Sequence, residues 1–142
     1  ELLIEKPEVK PEVKPITVIS NIVKMAKAIE EFEEYILPGG IGRTGKVYPN
    51  GSLSWRNKNP GNIKDLDSHF LKFPDYENGF NYLCDYIERA CTGKHKSYRP
   101  EMTLLEFFGV YAPDGSIIIR NYTEFVANKL GVFPSTKVKD LV

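Results

Sequence analysis

From Thr17 to Tyr35 the apolar positions recur with a helical period: Val18, Ile22, Met25, Ala26, Ile29 and Ile36 fall on one face at about 100° per residue. The spacing predicts a long first helix. Leu37-Pro38 followed by Gly39, Gly40, Gly42 and Gly45 ends it and predicts a mobile loop. Two hairpins are expected next, one with Val47-Tyr48 and Leu53-Ser54-Trp55 around Pro49–Ser52, the other with Ile63-Lys64 and His69–Phe73 around Asp65–Ser68. Beyond Pro74 the helical period returns in Phe80, Leu83, Cys84, Ile87 and Cys91, with Asp75 as N-cap and Gly93 as stop. A capping box of Thr103 and Glu106 opens a helix that closes at Ala112-Pro113-Asp114-Gly115. Asn121 with Glu124 is read as the start of another, ending at Gly131, and Ser135 or Thr136 as the start of a last short turn. This order predicts an α+β fold, with a long N-terminal helix, a small antiparallel sheet and then a helical lobe.

Residues 1–15 fall outside that pattern. They repeat a Glu-Val-Lys-Pro unit whose prolines oppose helix and whose charges oppose collapse, so a semi-extended linker is expected there and one folded domain over residues 16–142. A chain that begins at Glu1 is expected to be cut from a larger protein, with the linker joining the domain to a parent protein or assembly. Nineteen basic and nineteen acidic residues cancel, leaving no global field to draw in nucleic acid or an anionic membrane, so neither is expected as a partner. Cys84 and Cys91 lie seven apart in a helical pattern, about 10 Å along one helix, too far for a disulfide, and read as small buried residues. His69 and His95 have no spaced partners for a metal, and no cofactor is expected. Gly42-Arg43-Thr44-Gly45-Lys46 lacks the flanking strand and helix of a phosphate loop.

Two features carry candidate chemistry. Arg56-Asn57-Lys58-Asn59-Pro60-Gly61-Asn62-Ile63-Lys64 is a built loop: Asn-Pro favours an extended Asn59, Pro60 fixes its own φ, and Gly61 supplies a positive φ if the turn is type II. Its asparagines read either as a self-bonded surface turn or as a site for hydroxyls and amides. The second feature is Glu33. Counted from Ile22, Glu33 comes round to about 20°, whereas Glu30, Glu34 and Glu31 come to about 80°, 120° and 180°. Only Glu33 points to the core side, and Glu34 is expected to face solvent. An acid on the last turn of an apolar face loses hydration, which raises its pKa toward the range of a general acid; pairing with a cation or capping the next loop is the alternative.

Ala28–Glu33, Trp55–Ile63, Phe73–Phe80, Tyr111-Ala112-Pro113, Tyr122–Ala127 and Leu130-Gly131-Val132 together resemble the lysozyme-like domains of bacteriophage virion proteins, which are related to lytic transglycosylases. The Arg-Asn-x-Asn-Pro-Gly-Asn run is the specific part, and the likeness spans residues 16–142. It implies the lysozyme-like fold and peptidoglycan glycan strands as substrate. It also implies action at the bacterial cell wall from a phage virion during genome entry, and Glu33 as the catalytic acid. Substrate contacts are implied at Asn59, Asn62 and Tyr111, with Tyr48 and Glu77 added. The transglycosylase route needs no second carboxylate, because the substrate's own N-acetyl and 6-hydroxyl groups complete the cut. No second carboxylate stands out beside Glu33, with Asp65 and Asp67 at a hairpin tip and Glu77 at a helix start, and this favours the lyase over a hydrolytic muramidase. A silent wall-binding or structural domain is the reading from outside the enzymes. Lys58 replaces the family's usual Asn, and Glu34 stands where a small residue commonly follows the acid.

Overall fold

A computed structural model of the chain describes residues 13–142, with side chains from residue 21 onward. Helix α1 runs Val13–Phe32. It takes in the last three positions assigned to the linker; residues 1–12 of that segment lie outside the described residues. Pro15 falls in the first turn, where a backbone N–H has no intrahelical partner to lose. Met25, Ala26 and Ile29 are fully buried, as the apolar stripe requires, and Ile22 packs at the edge of the same core. The helix stops three residues short of Tyr35. The N–H of Glu33 still donates to the Ile29 carbonyl, that of Glu34 to Glu31, and that of Tyr35 reaches back to Glu30. This is a Schellman closure, with Glu34 as its left-handed residue at φ 58°. The position favours glycine, which gives a physical reason for a small residue after the acid.

The glycine-rich segment is a hairpin rather than a loose loop. Strand β1 (Gly40–Ile41) pairs antiparallel with β2 (Val47–Tyr48) in the register Gly40↔Tyr48, Ile41↔Val47, and Gly42 donates its N–H to the Lys46 carbonyl inside the turn. The expected partner strand, Leu53-Ser54-Trp55, is instead a short helix, α2 (Leu53–Arg56). Ser52, read as a turn residue, accepts from the Trp55 N–H and caps that helix, so local capping outcompetes strand pairing. The second expected hairpin is present as a single bridge, Lys64↔Phe70, backed by the Leu71 N–H on the Ile63 carbonyl. The sheet itself therefore has two strands.

Helix α3 (Tyr76–Cys91) starts at Asp75, whose side chain accepts from the Asn78 N–H, and buries Leu83, Ile87 and Cys91. Both cysteines are free, Cys91 buried and Cys84 half-buried; burial raises both thiol pKa values, that of Cys91 to about 12. Helix α4 (Leu104–Tyr111) carries both halves of the Thr103–Glu106 capping box. Helix α5 (Ser116–Leu130) begins five residues before the expected Asn121 and ends at a left-handed Gly131. Its N-terminal Ser-Ile-Ile-Ile-Arg stretch presents exposed isoleucines, which hid its helical period. A turn at Phe133–Thr136 ends where the last short turn is expected to start, and that last turn is a 3₁₀ helix, Val138–Leu141, which begins after Lys137 and buries Val138 and Leu141. Helix α1 packs on α5 and α3, and α4 packs on α5, enclosing Phe107, Phe108 and Tyr122. No helix among the described residues is long and apolar enough to cross a membrane.

Gly79 lets α3 lie against the Asn-Pro-Gly loop. A Cβ there would meet the Lys58 carbonyl oxygen at 2.0 Å and the Pro60 Cδ at 2.9 Å. Alanine is the better helix former by about 1 kcal/mol, yet Gly79→Ala is expected to destabilise the domain by about 1–3 kcal/mol, because backbone and proline ring must both move. Urea unfolding measures it; a gain in stability would mean that the loop is not seated on α3.

Candidate active site

The loop is organised from inside by Asn59. Its side chain is completely buried: the amide nitrogen donates to the Ile63 carbonyl at 2.9 Å and the Leu71 carbonyl at 3.0 Å, and the oxygen accepts from the Ile63 N–H at 3.0 Å. All these bonds stay within the protein, so Asn59 braces the loop instead of facing a sugar. Asn59 also accepts the Asn62 N–H on its carbonyl, closing a turn in which Gly61 does not take a positive φ. The turn is therefore not type II, and the left-handed residues are Lys58 at 52° and Asn62 at 50°. Gly61 is needed for space: an added Cβ would lie 2.7 Å from the Tyr111 hydroxyl and 2.8 Å from Leu83. Tyr111 donates that hydroxyl to the Gly61 carbonyl at 2.6 Å, tying α4 to the loop.

The left-handed turn at Asn62 aims its amide at Glu33. Asn62 donates from Nδ2 to Glu33 Oε1 at 3.3 Å, and the buried Tyr122 donates its hydroxyl to Oε2 at 2.8 Å. Tyr122 is itself held between Phe32, stacked at 3.9 Å, and Phe108, stacked at 4.4 Å. Loss of hydration is the largest influence on Glu33 and raises its pKa; the hydrogen bonds from Tyr122 and Asn62 oppose the rise, the negative charge of Asp114 adds to it, and Arg43 opposes it. A carboxyl pushed upward by burial, yet held by two donors, is poised to hold and release a proton. The Oδ1 of Asn62 is buried and has no hydrogen-bond partner among the described residues. Turning that amide over presents Oδ1 to a protonated Glu33, so one side chain suits both protonation states.

Glu33 and Asn62 open into a cavity of about 520 Å³, also lined by Lys64, Phe70, Tyr86, His95, Tyr111 and the Ala112-Pro113-Asp114 turn. Of the residues expected at the site, Glu33, Asn62 and Tyr111 are brought together, while Asn59 supports them from behind. Tyr48 and Glu77 lie outside this lining. Tyr48 sits on β2 and gives its hydroxyl to Glu34; Glu77 is exposed in the first turn of α3. Glu34 is thus a half-buried hydrogen-bond partner and not a solvated helix residue, because the chain leaves the helical phase at Glu34 itself, whose φ is 58°. His69 does meet neighbours with metal-ligating atoms: its ring and the carboxylates of Asp65 and Asp67 lie within 4.8 Å of one another, all exposed. Asp65 Oδ1 accepts the N–H groups of Asp67 and His69, and this turn bonding accounts for the grouping.

Two residues that act on Glu33 are not among those the sequence points to, Tyr122 behind it and Asp114 on the cavity. Tyr122 had a signal: an aromatic with a polar tip on the buried face of a helix needs a partner for its hydroxyl. Asp114 had none, since its approach to Glu33 depends on how α4 and α5 return to the end of α1. Comparison with known proteins supplies no relative: no family model, no curated protein and no solved structure matches the chain.

Proposed function

We propose that the protein cuts the MurNAc–GlcNAc glycosidic bond of peptidoglycan, with Glu33 as the general acid that protonates the leaving oxygen. The observation that carries this reading is the position of Glu33: a desolvated carboxyl at the end of an apolar helix, gripped by Tyr122 and Asn62, opening into a cleft of about 520 Å³. Departure of the protonated oxygen leaves an oxocarbenium-like sugar. In the transglycosylase version Glu33 then takes the proton of the sugar's 6-hydroxyl, which closes onto C1 to leave an anhydro end. In the muramidase version water attacks C1 instead, and the carboxylate of Asp114 on the same cavity favours it. The sequence resemblance supports a phage particle as the carrier, with the proline-charged repeat as the spacer that presents the domain to the wall.

Zymography tests the activity. The domain is expected to clear a murein layer after renaturation; an intact layer, with the protein shown to be refolded, would favour the silent wall-binding reading.

A further inference from the structure

Among the carboxylates of the described residues, two line the central cavity, Glu33 and Asp114. They come from different elements of the fold. Glu33 stands at the end of α1, and Asp114 in the turn between α4 and α5. That turn is tied at both ends to the catalytic machinery: Tyr111, three residues before Asp114, bonds the Gly61 carbonyl, and Tyr122, eight residues after it, bonds Glu33. Asp114 is pinned further by its own N–H, which donates to the Ala112 carbonyl at 2.8 Å. Its carboxylate is exposed and has no hydrogen-bond or ion-pair partner among the described residues, unlike the Asp65 carboxylate at the hairpin tip. The two environments therefore differ in the way that separates an acid from a base: one carboxyl is desolvated and the other solvated. Asp114's charge also acts on Glu33 and adds to the upward shift of its pKa.

We infer that Asp114 is a second catalytic carboxylate, which accepts a proton from the water that attacks the anomeric carbon and so makes the reaction a hydrolysis. This rests on the reading of Glu33 as the acid. The step balances. Glu33 gives its proton to the glycosidic oxygen as the C1–O bond breaks, water oxygen bonds to C1, and the water's proton passes to Asp114. The products are a reducing MurNAc end and a free 4-hydroxyl on GlcNAc. Because Asp114 is exposed and makes no side-chain bond, Asp114→Asn is expected to keep the wild-type melting temperature.

The test digests purified murein in ¹⁸O-water with the wild type, Asp114→Asn, and Asp114→Ala with and without sodium azide, and reads the new ends by mass spectrometry. The inference predicts ¹⁸O in new reducing MurNAc ends and a loss of about 10²–10⁴-fold in their rate of release for Asp114→Asn. It further predicts a glycosyl azide from Asp114→Ala, as the small anion takes the place of the activated water, a product that a merely structural aspartate would not yield. Anhydro ends alone, formed at an equal rate by Asp114→Asn, would overturn Asp114 as the base while leaving Glu33's role intact. A wild type that releases nothing would overturn both.

Discussion

Glu33→Gln is expected to lower murein cleavage by about 10³-fold or more while leaving the fold intact. The introduced amide has nearly the shape of a protonated carboxyl and keeps an oxygen for the Tyr122 hydroxyl, which lies 2.8 Å from Oε2 in the wild type. Its nitrogen faces Asn62, and turning the Asn62 amide over lets the otherwise orphaned Oδ1 accept from it. What it cannot do is deliver a proton. Stability should move the other way, with a definite pH dependence. Because folding raises the pKa of Glu33, the folded state binds the proton more tightly than the unfolded chain, so the wild type is most stable below the unfolded pKa of about 4.5 and loses stability as pH rises through the folded value. The variant lacks that loss. Its melting temperature should exceed the wild type's near pH 7, and the gap should close as pH falls toward 4.5. A variant less stable than the wild type at pH 7 would mean that Glu33 is a structural ion-pair partner. Glu77→Gln, exposed and outside the cavity, is the control and should leave the rate unchanged.

Asn59→Ala should be the most damaging single truncation in the loop, at about 3–5 kcal/mol. It leaves the Ile63 N–H and the Leu71 carbonyl without their side-chain partner, while the Ile63 carbonyl keeps the Leu71 N–H, and each buried group left unpaired costs about 1–3 kcal/mol. Urea unfolding gives the change directly. A loss below about 1 kcal/mol would show that water replaces the side chain, and the loop would then owe its shape to Pro60 and the Gly61 contact instead. Asn62→Ala provides the contrast: its Nδ2 bond to Glu33 is long, at 3.3 Å, so activity should fall by more than stability does.

The sequence is legible where one local rule dominates. Met25, Ala26 and Ile29 of the α1 stripe, Leu83, Ile87 and Cys91 of the α3 stripe, the Asp75 cap, the Thr103–Glu106 box and the Gly131 stop follow from periodicity and capping and are present; the side chain of Val18 lies outside the described residues. It misleads where two local rules compete. Ser52 serves equally as a turn residue or an N-cap, and the cap turns a predicted strand into α2. The first residues of α5 carry isoleucines on its exposed side, so the helix looks shorter than it is. Of the candidate site, Glu33 is readable because it still closes the last helical bond of α1, to Ile29, and Glu34 is not, because helical phase does not extend to a left-handed residue two positions past Phe32. Asn59 and Asn62 were visible as a pair; their division into brace and donor depends on a left-handed residue that the sequence does not mark. Asp114 depends on tertiary closure, and no periodic pattern reports that.

The most direct test of the central claim is mass spectrometry of the ends formed when purified murein is digested by the wild type and by Glu33→Gln. Every new end released by the wild type should be a MurNAc terminus paired with a GlcNAc 4-hydroxyl, and Glu33→Gln should release such ends about 10³-fold more slowly or not at all. New free amino groups from cut peptide bonds, or glycan ends that form equally well with Glu33→Gln, would contradict it.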